Sequence, residues 1–137
     1  MRLGSRARFF LMEGAQVLKV LIIDDERPVC RALERLFFDF AEGDAVSVMT
    51  KALKLLEEHV YDAILCDINM PGVTGIDLFH RLADQKPGEE QKVIFLTGGL
   101  FTRECAEFVH KTDNHVVYKP FERDELVSLI EEVSGKF

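Results

Sequence analysis

The chain has 137 residues, 47% of them hydrophobic, and a formal net charge of −7. That length fits one domain with a buried core, and the composition excludes a disordered chain. The acidic balance argues against a nucleic-acid-binding surface in this domain, which would normally be basic.

Residues 1–16 differ from the rest. Arg2, Arg6 and Arg8 precede a short apolar run, Phe9-Phe10-Leu11-Met12, and then Glu13-Gly14-Ala15-Gln16. The run is too short for a secretory signal, and no run in the chain reaches the roughly 18 apolar residues that span a bilayer. We read 1–16 as an N-terminal extension or linker and 17–137 as the domain proper.

From Val17 onward, strand-like and helix-like segments alternate. Val17–Ile23 is mostly apolar and β-branched, as in a strand buried on both faces. Pro28 suits a first helical position, and Val29, Ala32, Leu33, Leu36, Phe37 and Phe40 follow helical spacing until Gly43-Asp44. Ala45–Met49 reads as a short strand, with Thr50 as cap of a helix carrying Leu53, Leu56 and Val60. Ala63–Cys66 is the next strand, and Asn69-Met70-Pro71-Gly72 a loop. A helix over Gly75–Gln85, a strand over Val93–Leu96 and a helix over Thr102–Lys111 follow. Val116–Tyr118 is the last strand, and Asp124–Val133 the last helix. Such alternation predicts an α/β fold: a doubly wound, five-stranded parallel sheet with helices on both faces. The three scattered cysteines (Cys30, Cys66, Cys105) form no CxxC pair and read as reduced thiols of a cytoplasmic protein, with Cys66 a small core residue.

Four of the strand-like runs end on polar residues: Asp24-Asp25, Asp67, Thr97 and Lys119. Ligands of open α/β sheets sit outside the carboxyl ends of the strands. Parallel neighbours would therefore bring three carboxylates, a hydroxyl and an ammonium to one patch. A divalent cation with a phosphoryl group explains their coexistence, since carboxylates hold the metal while hydroxyl and ammonium hold phosphoryl oxygens. Taken singly, each has a plainer reading: a helix-capping turn for Asp24-Asp25, a turn former for Asp67, a cap for Thr97, a solvated charge for Lys119 and a strand stop for Pro120.

Together with their surroundings, these residues resemble the receiver domain of two-component response regulators. The motifs that carry the resemblance are Asp24-Asp25-Glu26, Asp67-Ile68-Asn69-Met70-Pro71-Gly72-Val73-Thr74-Gly75, Thr97-Gly98 and Lys119-Pro120-Phe121, in order and spaced as in that family. The resemblance covers residues 17–137. It implies a flavodoxin-like strand order, 2-1-3-4-5. It implies that Asp67 is a nucleophile that accepts a phosphoryl group from a sensor histidine kinase or a phosphotransfer protein. Mg²⁺ would be held directly by Asp25, Asp67 and the Asn69 backbone carbonyl, with Asp24 acting largely through water. Lys119 and Thr97 would hold the phosphoryl oxygens, with a cis Lys119–Pro120 peptide. The family binds partners, or a second copy, through the fourth helix, fifth strand and fifth helix, here Arg103–Lys111, His115–Tyr118 and Arg123–Glu132. That surface carries both signs of charge, so a homodimer formed through it would be salt-sensitive; nucleic acid and membrane are not expected partners of this domain.

Two positions depart from the family pattern. Many receivers carry an aromatic residue three positions before the lysine, where it rotates as the switch reports phosphorylation; here that residue is Val116. Many have alanine after the threonine; here it is Gly98, then Gly99, which either leaves more room for water at the phosphoryl site or permits an unusual turn. The Thr97-Gly98-Gly99 variant is similar to receivers appended to hybrid sensor kinases, and residues 4–11 to the last strand of a kinase ATP-binding domain, so a hybrid-kinase origin stays open. Two other functions fit parts of this pattern. An aspartate-nucleophile phosphohydrolase has a second aspartate two residues after its nucleophile on the first strand, whereas here Asp24 and Asp25 are adjacent. A receiver-fold interaction module without phosphorylation would not need the full Asp, Thr and Lys set.

Overall fold

The computed structural model describes residues 2–3, 17–37, 39–100 and 102–135. Six strands, β1 (Arg2–Leu3), β2 (Leu18–Ile23), β3 (Ala41–Val46), β4 (Ala63–Asp67), β5 (Val93–Thr97) and β6 (Val116–Tyr118), form one sheet. Its order is β1-β3-β2-β4-β5-β6, with every pairing parallel except β1 with β3. Counted among themselves, the five parallel strands stand in the order 2-1-3-4-5. Five helices join them: α1 (Arg27–Leu36), α2 (Met49–Glu58), α3 (Gly75–Gln85), α4 (Arg103–Lys111) and α5 (Arg123–Ser134), with a 3₁₀ turn at Glu89–Lys92.

The near-continuous apolar strands are buried because helices cover both sheet faces. Side-chain alternation divides each strand between two cores. Val20, Ile22, Leu65, Ile94 and Leu96 pack with Leu33 of α1 and Leu126 and Ile130 of α5. Leu21, Ile23, Ile64, Cys66 and Phe95 face the other way, toward Ala52 and Leu56 of α2, Ile76, Leu78 and Leu82 of α3 and Cys105 of α4. Each such leucine or isoleucine contributes about 1.5–3 kcal/mol relative to exposure.

The structure corrects the sequence reading around β3. The first helix ends at Leu36, short of Phe40, and the strand runs over Ala41–Val46 where Ala45–Met49 is expected. Gly43-Asp44, read as a helix break, lies mid-strand. The sequence Ala-Glu-Gly-Asp-Ala-Val has poor β-propensity, and pairing with β2 along its length overrides it. Gly43 is required there. Its φ is +144°, and a Cβ would sit 2.0 Å from the Val20 carbonyl oxygen. The helix after β3 starts behind Val48, without a side-chain cap, so Thr50 lies within its first turn.

Arg2 and Leu3 pair with Asp44 and Gly43, adding an edge strand from the segment read as an extension. The remainder of that segment, residues 4–16, and Phe101 lie outside the described residues. No helix among the described residues is long and apolar enough to cross a membrane.

Candidate functional site

The carboxyl ends of β2, β4, β5 and β6 meet at the point where the strand order reverses. Asp24 follows β2 and is fully buried; its amide donates to the Val46 carbonyl at 3.1 Å. Its Oδ1 accepts from the Glu26 amide at 2.9 Å, which folds the turn before α1 back over the strand end. Asp67 closes β4, 5% exposed, and its Oδ1 accepts from the Asn69 amide at 2.8 Å. Lys119 follows β6. Its Nζ lies 2.9 Å from Asp24 Oδ2, 3.2 Å from Glu26 Oε1 and 3.3 Å from Asp67 Oδ2. The Lys119–Pro120 peptide is cis.

One ammonium thus faces three carboxylates, and the excess of negative charge shows in the proton affinities. Burial raises the pKa of Asp24, and the Asp67 charge adds to it, against the opposing Lys119 ammonium and the Glu26 amide bond. Burial alone would lower the pKa of Lys119, yet the carboxylates of Asp24, Asp67 and Glu26 around it raise it. Burial, then the Asp24 charge, pushes Cys30 up to about 11. Burial, then Asp67 and Asp24, holds Cys66 well above the ordinary thiol range. Both shifts favour the thiol over the thiolate, the weaker form as nucleophile and as metal ligand.

The donor set fits a hard divalent cation. Carboxylate oxygens of Asp24, Glu26 and Asp67 lie within 4.8 Å of one another. Asp24 Oδ2 is buried and touches the Lys119 charge without a directed hydrogen bond, so it keeps a lone pair to offer.

Thr97 ends β5 fully buried. Its Oγ1 donates to the Gly99 carbonyl at 2.6 Å and accepts from the Gly99 amide at 3.0 Å, so the hydroxyl is held on its own loop. On the other side, α3 starts hard against the loop after Asp67. A Cβ on Gly75 would come within 2.9 Å of the Asp67 carbonyl oxygen and the Ile68 Cα. Thr74 and Asp77 form a capping box that fixes this start.

The model of the response regulator receiver domain matches residues 20–131, spanning the site and nearly the whole sheet. The chain belongs to the response regulator receiver domain family. This receiver is 30% identical over 118 residues to the chemotaxis protein CheY of Pseudomonas aeruginosa, covering 85% of this chain and 95% of that protein. It spans about half the length of several other curated relatives, which are transcriptional regulatory proteins. A receiver domain protein from Clostridium thermocellum superposes with a TM-score of 0.76 at 25% identity, covering 88% of this chain and 96% of that one. The receiver domain of a sensor histidine kinase from Pseudomonas aeruginosa PAO1, solved with a magnesium ion in its active-site cleft, superposes with a TM-score of 0.74 at 21% identity, covering 88% and 100%. These likenesses place the chain among receiver domains of two-component signalling.

Asp24, Asp67, Thr97 and Lys119 stand together in this receiver, as expected from the strand ends. Asp25 does not join them: it is exposed and makes no hydrogen bond or ion pair among the described residues, and the third carboxylate within reach is Glu26. Glu26 was legible as an acid directly after the aspartate pair. Neither Gly98 nor Gly99 has a positive φ, and a Cβ at Gly98 would meet only the Lys119 Cδ at 3.9 Å, so the structure gives no support to the unusual-turn reading. Val116 is half-buried, and Tyr118, on the face opposite the buried Val117, is 52% exposed.

Proposed function

We propose that Asp67 is the phosphoacceptor of this receiver. It takes a phosphoryl group from a phosphohistidine of a sensor histidine kinase or phosphotransfer protein, and the modification switches a partner-binding surface. The observation that carries this reading is the Asp67 carboxylate at the switch point, with Oδ2 3.3 Å from the Lys119 ammonium.

Asp67 Oδ2 forms the new bond to phosphorus as the P–N bond to the donor imidazole breaks; the imidazole leaves with the bonding pair and is protonated from solvent. Lys119 pairs with the phosphoryl oxygens as a point charge. The Thr97 hydroxyl turns from Gly99 to donate to a phosphoryl oxygen. Mg²⁺ would be held by Asp67 and Asp24 with the adjoining acids Asp25 and Glu26 and the Asn69 carbonyl. Bound there, it would supply positive charge to offset the repulsion between anionic nucleophile and anionic donor. The magnesium in the kinase receiver of the same fold supports that choice of metal. The protein would act in the cytoplasm, and α4, β6 and α5, with exposed Tyr118, would bind the partner or a second copy.

Acetyl phosphate with Mg²⁺ should add one phosphoryl mass to the parent chain and none to Asp67→Ala. Labelling of the variant at the parental level would overturn the assignment. Sustained turnover of a generic phosphomonoester would favour the phosphohydrolase instead.

A further inference from the structure

A second network at the strand ends lies outside the ion-pair group. It begins at Asn69, whose Nδ2 donates to the Gly99 carbonyl at 3.0 Å and reaches Thr97 Oγ1 at 3.4 Å. Asn69 Oδ1 accepts from the Cys105 thiol at 3.3 Å. Cys105 lies in the first turn of α4, 6% exposed, and its amide donates to the hydroxyl of the N-cap residue Thr102 at 3.1 Å. Among the described residues, this thiol makes the one side-chain hydrogen bond from α4 to the loop between β4 and α3.

The donor pattern explains why the thiol matters. A thiol hydrogen presented to Oδ1 leaves Nδ2 for the Gly99 carbonyl. Turning the amide over would set two donors face to face at Cys105 and two acceptors at Gly99. The Gly99 carbonyl is shared between Thr97 Oγ1 and Asn69 Nδ2. Once the Thr97 hydroxyl is drawn away, Asn69 is the remaining side-chain donor to that carbonyl. Because Val116 has no ring, β6 offers no rotating aromatic side chain at that position to relay the change.

We infer that Cys105 is a positioning residue: it orients the Asn69 amide on the Thr97–Gly99 turn and passes a change at Thr97 to the first turn of α4. The second half of this inference rests on the phosphoacceptor reading of Asp67. The first half holds in the metal-free protein.

Two variants separate positioning from simple core filling, since Cys105 also packs in the core between α3, α4 and β5. Cys105→Ser keeps a donor and loses apolar bulk; Cys105→Val keeps apolar bulk and loses the donor. In metal-free protein, the Asn69 side-chain amide resonances should match the parent in Cys105→Ser and shift in Cys105→Val. With Mg²⁺ and beryllofluoride, the change in amide exchange over residues 102–106 should survive in Cys105→Ser and fall about twofold or more in Cys105→Val. Parent-like behaviour of Cys105→Val in both measurements would overturn the inference. A parent that fails to label at Asp67 would sink the phosphoacceptor reading and the relay, while the metal-free resonances still decide whether Cys105 orients Asn69.

Discussion

The Lys119 ammonium lies 2.9 Å from the Asp24 carboxylate, joining the end of the last strand to the end of the first long one across a buried contact. The fold brings them together because β2 and β6 are parallel members of one sheet, whose carboxyl ends share an edge. The pair is not neutral in its surroundings, since Asp67 and Glu26 crowd the same ammonium.

Asp24 therefore holds a proton more readily in the folded chain than in the unfolded one. Its pKa is raised, by burial first, so folding favours the neutral group. Its contribution to metal-free stability improves as pH falls through the raised value toward the ordinary one, and worsens above it. Asp24→Asn should hold or raise the melting temperature of the metal-free protein and remove this part of the pH dependence. It should also weaken Mg²⁺ binding by about tenfold or more. A clear drop in melting temperature without metal, with Mg²⁺ affinity intact, would refute the charge argument.

Lys119→Ala has the opposite expectation. Its raised pKa means that its stabilisation is complete below the ordinary lysine value and is lost as pH rises through the folded one. Removing it leaves Asp24 and Asp67 buried without a counter-charge, at a cost of about 1–3 kcal/mol. Saturating Mg²⁺ should recover most of that loss in urea unfolding, yet phosphorylation should leave α4 and β6 largely unchanged. Stability equal to the parent without metal would contradict this.

Gly75 sets the position of the phosphoacceptor loop by letting α3 approach within contact of Asp67 and Ile68. In Gly75→Ala either the helix start or the loop must shift by several tenths of an ångström. Labelling by acetyl phosphate should slow about tenfold or more, as expected when a reacting group is displaced, while far-ultraviolet circular dichroism stays at the parental level. Undiminished labelling would show that the loop adapts freely.

Much of the fold was legible because both-face burial needs uninterrupted apolar strands, and such runs stand out. The expected bounds of α3 and β6 match the structure, and β2, β4 and β5 differ by a single residue at one end. β3 was not legible in its true position. Its residues are poor strand formers, and the strand exists because β2 pairs with it and Gly43 allows close contact with Val20. The β1 pairing was equally hidden, since two residues carry no periodicity.

The site divides in the same way. Asp24, Asp67, Thr97 and Lys119 each follow or close an apolar run, and a parallel sheet must bring such ends together. The sequence alone therefore determined the sheet class, the location of the site and the residue types that meet there. Only the tertiary structure showed that the exposed Glu26 carboxylate lies within 4.8 Å of those of Asp24 and Asp67, because that depends on the course of one turn over the strand end. It also decided that the Thr97 hydroxyl rests on Gly99 and that Cys105 reaches Asn69. Those contacts join segments far apart in the chain, at distances set by helix packing, and no local pattern of side chains encodes them.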